Sequence, residues 1–503
     1  MDARCRTGRT TCSGRIGNHR GQLIYIRTRA RSGNFLVHRN ARLVPYIGDR
    51  EPDSATSILS SHHGWGRIIH SLIRTPAERS RVNGARIIFL VEEDRMSMTA
   101  INLMDPEFTT NPAAAYGRLR EEAPVVPVNF PGVAAPVWLI TRYEDVKAAL
   151  TDPRFVVDRN NVPGLNEPSA RDQIMEAMGV PEDLRPHLTT MVNMDGRAHS
   201  RLRTLVSPAF TSRRMDALRS RVEIVAAQLA DDLRRKPEPD LLADFSAHLS
   251  GTIICELVGV DEADRAEVRG WIQGFAGDDQ TRILERARLL VNYTKDLIAR
   301  RRAEPGDDTI SKLLAAEADG DQLTDTEIVT MFTMLIQTGY VTTAHFIPNA
   351  VVTLLDHPDQ LDRLRADPEL LPHAVDELLR VAGPITVGTM MYATEDLNLA
   401  GTPIRRGDTL AGCLVSANHD PRVFDDPDRF DIARIPASGR NHLAFYYGSH
   451  FCLGARLAEV ESEVALRELL LARDGLSLAI ERNQLEHHPN PIGNLLVRLP
   501  VHF

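Results

Sequence analysis

Phe445-Tyr446-Tyr447-Gly448-Ser449-His450-Phe451-Cys452-Leu453-Gly454, running on into Ala455-Arg456-Leu457-Ala458-Glu459, sets one cysteine just ahead of a helix N-terminus. A thiolate there gains from the helix dipole and from backbone N–H groups that the neighbouring glycines leave uncrowded, which lowers its pKa and sets its electron donation. Such a site suits a metal ligand. A lone cysteine is more often a small buried hydrophobe, so the residues around Cys452 have to decide between the two. The remaining cysteines, Cys5, Cys12, Cys255 and Cys413, form no C-x-x-C pair. Neither a disulfide framework nor a cysteine-rich zinc site is indicated, and a reducing cytoplasm fits.

Working outward, 43% hydrophobic and 25% charged residues over 503 positions describe a globular chain and exclude a disordered or fibrous one. The net charge of −9 is unevenly spread: residues 1–95 hold 17 Arg against 8 acids, or +9, leaving −18 for the rest. The whole chain has only four lysines, Lys147, Lys236, Lys295 and Lys312, so their absence from the basic segment carries no weight. That segment reads either as an arm for nucleic acid or a partner, or as sequence upstream of a start at Met96 or Met98. The second reading is preferred, so residues 1–97 are expected to be a disordered extension or no part of the native protein, ahead of one domain at 98–503. Ile87 to Val91 is far too short to span a membrane, and the N-terminus lacks a secretion signal. A soluble protein with no membrane or nucleic-acid partner is expected.

From residue 98 onward helical periodicity dominates, with short β-rich pieces such as Val137-Trp138-Leu139-Ile140 between the helices. The fold class is therefore mainly α with small β-sheets. One helix opens at Thr324 with Glu327 three residues later, a capping box, and its apolar run lasts to about Leu355 before Asp356-His357-Pro358. Thirty residues at ~1.5 Å each span about 45 Å, so it must cross the core. Pro348 removes an N–H and clashes with the carbonyl of Ala344, which predicts a kink. A second helix runs from about Pro372 to Arg380, stops near Gly383-Pro384, and carries Glu377 and Arg380 on one face.

The segment around Cys452 resembles the cysteine-ligand loop of the cytochrome P450 family, F-x-x-G-x-[HR]-x-C-x-G, at Phe445, Gly448, His450, Cys452 and Gly454. The resemblance covers about residues 98–503. It implies the cytochrome P450 fold, haem b (iron protoporphyrin IX) as cofactor, and Cys452 as the ligand of its iron. Glu377 and Arg380 fall where the family has E-x-x-R, and Arg429 in Pro427-Asp428-Arg429-Phe430 where it has the third member of that ion-paired triad. Met194-Asp195-Gly196-Arg197-Ala198-His199-Ser200-Arg201-Leu202-Arg203 looks like the segment that meets a haem propionate, which implies His199 and Arg203 as partners beside His450. Buried carboxylates need such donors in place of water. Gly339, Thr342 and Thr343 match the catalytic part of [AG]-G-x-[DE]-T-T on the long helix.

The departures are informative. Tyr446 stands where a small residue, commonly Gly, is usual, so a shifted loop or an altered approach to the haem is expected. Met391 replaces a propionate-binding Arg, which implies weaker haem retention. Val341 replaces the acid of the proton relay, and a valine supplies no proton. The implied activity is a monooxygenase (hydroxylation or epoxidation) acting on a small molecule, by analogy one of secondary metabolism. Electrons would come from ferredoxin and an NAD(P)H-dependent ferredoxin reductase, since the chain holds no flavin or iron–sulfur segment. Arg197, Arg201, Arg203, Arg213, Arg214 and Arg456 would offer an acidic partner a basic face. Two alternatives stand beside it: an oxidative coupling or cyclising enzyme without oxygen insertion, supported by Val341, and a non-catalytic haem-binding auxiliary protein. Residues near Pro384–Val387 and Asn490–Gly493, with the loop from about Asp158 to Met191, would face the substrate.

Overall fold

The structure, a computed structural model, describes residues 100–503 except Asn166 and residues 274–279, 319–320 and 435–440. Ahead of these it describes short antiparallel strands, Ile24–Arg27 with Asn34–Val37 and Val44–Tyr46, and Arg81–Val82 with Ala85–Arg86. The expectation for residues 1–97 otherwise lies outside the described residues. The chain divides into two units, Met1–Thr99 and Ala100–Phe503, and the second carries the fold described below.

Its helices include α1 (Gly196–Val206), α2 (Arg219–Arg235), α3 (Ala247–Val258), α4 (Gln280–Ala303), α5 (Asp325–Asp356), α6 (Leu371–Ala382) and α7 (Ala455–Leu466). Helix α5 is the predicted long helix, 32 residues with both halves of the Thr324/Glu327 capping box formed. Every residue from Ile328 to Ile336 is buried. A helix apolar on all sides belongs in the middle of a protein, and α3, α4, α6 and α7 all pack against it.

Helical hydrogen bonding continues across Pro348, and the interruption falls on one carbonyl. Proline leaves the oxygen of Ala344 without its N–H. Ser246, wholly buried at the head of α3, donates its hydroxyl to that oxygen at 2.7 Å. The neighbouring helix thus supplies the hydrogen bond that the sequence of α5 cannot.

A six-stranded sheet lies beside the helices: β1 (Ile101–Asn102), β2 (Val125–Asn129), β3 (Val137–Ile140), β4 (Phe155–Val156), β5 (Met391–Ala393) and β6 (Thr409–Gly412), in the order β1-β2-β3-β6-β5-β4. β3 and β6 run parallel, with Leu139 opposite Ala411. Among the described helices none is long and apolar enough to cross a membrane.

Helix α6 stops at Gly383-Pro384 as its sequence predicts and holds a buried fork: Arg380 Nε and Nη2 each meet a Glu377 carboxylate oxygen at 2.8 Å. The third member is not Arg429. That side chain is 63% exposed, with Asp431 as its nearest acid at 3.6 Å. Arg434 instead donates from Nε to Glu377 Oε1 at 3.0 Å. The loop turns the backbone of Arg429 inward, where its carbonyl accepts from Arg434 Nη2 at 2.7 Å. Its side chain is thereby directed to solvent.

Candidate active site

The cysteine loop is built from turns that its residues dictate. Gly448 has φ +72°, and a Cβ there would lie 3.1 Å from the carbonyl oxygen of Leu150, so glycine is required. Cys452 N donates to the carbonyl of Phe445 at 2.9 Å, closing the loop over a buried phenylalanine. Gly454 is the N-cap of α7 and turns its N–H toward Cys452, lowering the thiol pKa; Arg203 acts in the same sense. Burial is the larger effect and holds the free thiol above its ordinary value. This differs from the lowered pKa that the helix dipole alone predicts. A bound cation reverses the balance, because a coordinating thiol is deprotonated outright.

Helix α1 brings His199 and Arg203, one turn apart, to the same place. The rings of His199 and His450 lie 4.2 Å apart between centroids. Burial pushes the pKa of His450 down to about 4, with His199 adding to it, and also lowers that of His199. Burial lowers the Arg203 pKa as well, with Cys452 opposing. Among the described residues none of the three forms an ion pair. Three nitrogen donors without a carboxylate of their own, His199 buried and Arg203 and His450 half-buried, fit an anionic group brought from outside. With a thiol beside them, the donor set suits a haem with its propionates.

Asp195, just before α1, accepts from the backbone N–H groups of Val157 and Asp158 at 2.9 and 2.7 Å. It thereby ties the loop after β4 to the helix that carries His199 and Arg203. Met391 is buried in β5, paired in register with Leu410. It supplies packing where a cationic partner would supply charge.

On α5, Gly339 has a packing reason to be glycine, since a Cβ would lie 2.7 Å from Ile254 Cδ1 of α3. Thr342 Oγ1 donates to the carbonyl of Thr338 at 2.7 Å. Thr343 is buried on another side of the helix. Val341 faces a cavity of about 800 Å³, whose walls also include Gln337, Met175, Leu188, Met390 and Ile492. Residues of the 158–191 loop and Ile492 reach this cavity as expected, but Gly388–Met390 form its wall in place of Pro384–Val387. Gln337 and Thr389 were not singled out by motif. The signal for Gln337 was an amide four residues before Val341, on the same face of the helix.

Tyr446 sits at φ +66° and lays its ring on Gly388, where a Cβ would come within 2.6 Å of the ring. Its hydroxyl is buried without a hydrogen-bond partner. The residue usual at this position has no side chain, so the tyrosine is accommodated by a glycine across from it. Of the arginines proposed for a partner face, Arg201 is engaged by Asp321 and Glu327, and Arg456 by Asp216 and Glu459. Arg197 and Arg213 are exposed.

The family model described as Cytochrome P450 matches residues 268–473. Cytochrome P450 107B1 of Saccharopolyspora erythraea is 39% identical over 399 residues, 79% of this chain and 96% of the relative. 6-Deoxyerythronolide B hydroxylase of the same organism is 39% identical over 408 residues, 80% and 98% of the two chains. Among solved structures, the polyketide synthase cytochrome P450 PksS of Bacillus subtilis superposes with a TM-score of 0.72 at 33% identity, covering 80% of this chain and 98% of that one. With such relatives spanning its described unit, this chain belongs to the cytochrome P450 family, as a monooxygenase whose cofactor is haem b.

Proposed function

We propose that this monooxygenase inserts one oxygen atom from O2 into a C–H or C=C bond of a small natural product of polyketide type. Electrons come from ferredoxin and its NAD(P)H-dependent reductase in the cytoplasm. The observation that carries the reading is the convergence of Cys452 with His199, Arg203 and His450, a thiol and three nitrogen donors that suit the iron and the propionates of a haem. Haem held there supplies the oxygen-activating chemistry. Cys452 would be the residue that holds the iron, its sulfur supported by the Gly454 N–H. Arg203 would balance the charge of the propionates, His199 and His450 would donate hydrogen bonds to them, and Phe445, Gly448 and Gly454 shape the loop that presents the sulfur.

On the facing side Gly339 lets α3 close against α5, and Thr342 and Thr343 are the groups we assign to proton handling. Val341 leaves them no acid, so protons reach Thr342 through water or a hydroxyl of the substrate. Exposed Arg197 and Arg213 receive an acidic electron donor. The polyketide assignment follows PksS, a polyketide biosynthesis cytochrome P450 among the relatives.

Cys452→Ser is expected to abolish the red-shifted band of the reduced carbon-monoxide complex and to keep the helical circular dichroism, since packing of the helices does not depend on sulfur. A variant that retains the band removes Cys452 as ligand. Val341 also favours a second reading, oxidative coupling without oxygen insertion. The ratio of oxygenated product to O2 consumed separates the two.

A further inference from the structure

The cysteine loop holds one buried polar group that no protein group answers, the hydroxyl of Tyr446. Among the described residues it meets no hydrogen-bond partner. Buried polar groups in native proteins are paired, so an open one points to a partner that is not protein. The ring is also held in place at a cost. Tyr446 takes φ +66°, a region that disfavours any side chain. Its position further depends on residue 388 being glycine, since a Cβ there would lie 2.6 Å from Tyr446 Cε2 and 3.4 Å from the hydroxyl oxygen.

Tyr446 follows Phe445, whose carbonyl accepts from Cys452 N at 2.9 Å, and its ring reaches Gly388, in the wall of the cavity that Val341 faces. The side chain thus begins in the loop of the thiol and ends at the wall on the α5 side. A group that spans both sides of the site lies at its rim, and the rim is where a haem keeps its two carboxylates. Met391, three residues after Gly388, belongs to the apolar cluster that Tyr446 packs against and offers no hydrogen-bond donor. Each carboxylate has two oxygens with lone pairs to satisfy. Burial favours the neutral forms of His199 and His450, which give one N–H apiece, and a single guanidinium, that of Arg203, cannot aim all of its N–H groups at them. Acceptors therefore remain. Burial also pushes the Tyr446 phenol well above its ordinary value, so it keeps its proton and meets a carboxylate as a donor.

We propose that the Tyr446 hydroxyl donates a hydrogen bond to a haem propionate, as a fourth group beside His199, Arg203 and His450. The inference rests on the haem-thiolate reading above and adds a residue to its cofactor site.

The test is the rate at which the haem-loaded enzyme releases haem to excess apomyoglobin. Tyr446→Phe keeps the ring on Gly388 and should release haem about tenfold faster than the parent, the equivalent of ~1.4 kcal/mol. Both proteins are then reconstituted with the dimethyl ester of haem, which has no carboxylate to receive the bond, and here they should release at the same rate. An equal effect of the substitution on both haems assigns the hydroxyl to packing and overturns the proposal, as does an unchanged rate with natural haem. A second measurement needs no reconstitution: the propionate bending band in the resonance Raman spectrum of the loaded enzyme should move in Tyr446→Phe. A band that stays in place also overturns the proposal. Failure of the haem-thiolate reading looks different, because the carbon-monoxide band of the parent would then be missing before any release is measured.

Discussion

Tyr446 and Glu461 show how single side chains can sit at odds with their surroundings. A non-glycine residue at positive φ costs on the order of 1 kcal/mol, and a buried hydroxyl without a partner adds about 1–3 kcal/mol. Tyr446→Phe keeps the ring on Gly388 and deletes only the hydroxyl, so urea unfolding of the haem-free protein should show a gain of about 1 kcal/mol. A loss would mean that the hydroxyl is satisfied in the folded protein. Glu461, on α7 nine residues after Cys452, is 1% exposed, and burial alone pushes its pKa up to about 8. Between the ordinary carboxyl value near 4.5 and about 8, the unfolded chain releases a proton that the folded chain keeps. Stability contributed by this group is therefore intact at low pH and falls as pH rises through that window. Glu461→Gln should flatten that fall and unfold at higher temperature than the parent at pH 8, with little difference near pH 4. Parallel pH profiles for the two proteins would refute the assignment.

At the scale of elements, the question is how α5 keeps a proline in the interior of a 32-residue helix. The answer is a bond between helices, since Ser246 of the neighbouring helix bonds the carbonyl that Pro348 orphans. Ser246→Ala should cost about 1–3 kcal/mol in the parent, the penalty for a buried unsatisfied carbonyl. In a Pro348→Ala background the N–H of residue 348 takes over that carbonyl, and the same change should cost markedly less. A double-mutant cycle by chemical denaturation measures the difference. Equal costs in both backgrounds would disprove the compensation. The capping box and the apolar run of α5 are local patterns and were legible in advance; its hydrogen bond to α3 was not, because Ser246 lies 98 residues away.

For the whole molecule, Glu377 is a junction. Arg380 links it to the carbonyls of Asn418 and Pro427 at 2.8 and 2.7 Å. Arg434 extends it to the carbonyl of Asp425 at 2.7 Å. Segments far apart in sequence thus meet on one carboxylate. Arg434→Leu should destabilise the fold by about 1–3 kcal/mol, as loss of a charge-assisted bond to a buried group does. Arg429→Leu should stay within about 0.5 kcal/mol as a surface change. Thermal unfolding of the two variants side by side decides, and equal losses would restore Arg429 to the network.

The sequence by itself determined the helical class, the span of α5, the end of α6 and the cluster of residues that marks the family, because each of these is written in local spacing: a cap three residues from its glutamate, a cysteine two residues from a glycine, an i, i+3 pair. Only the tertiary structure decided which arginine completes the Glu377 network, what satisfies Ala344, why Gly339 and Gly388 lack side chains, and that the Tyr446 hydroxyl remains open. Those depend on contacts between segments dozens to hundreds of residues apart. There the direction in which a backbone turns, rather than the residue type it carries, settles whether Arg429 or Arg434 reaches the carboxylate.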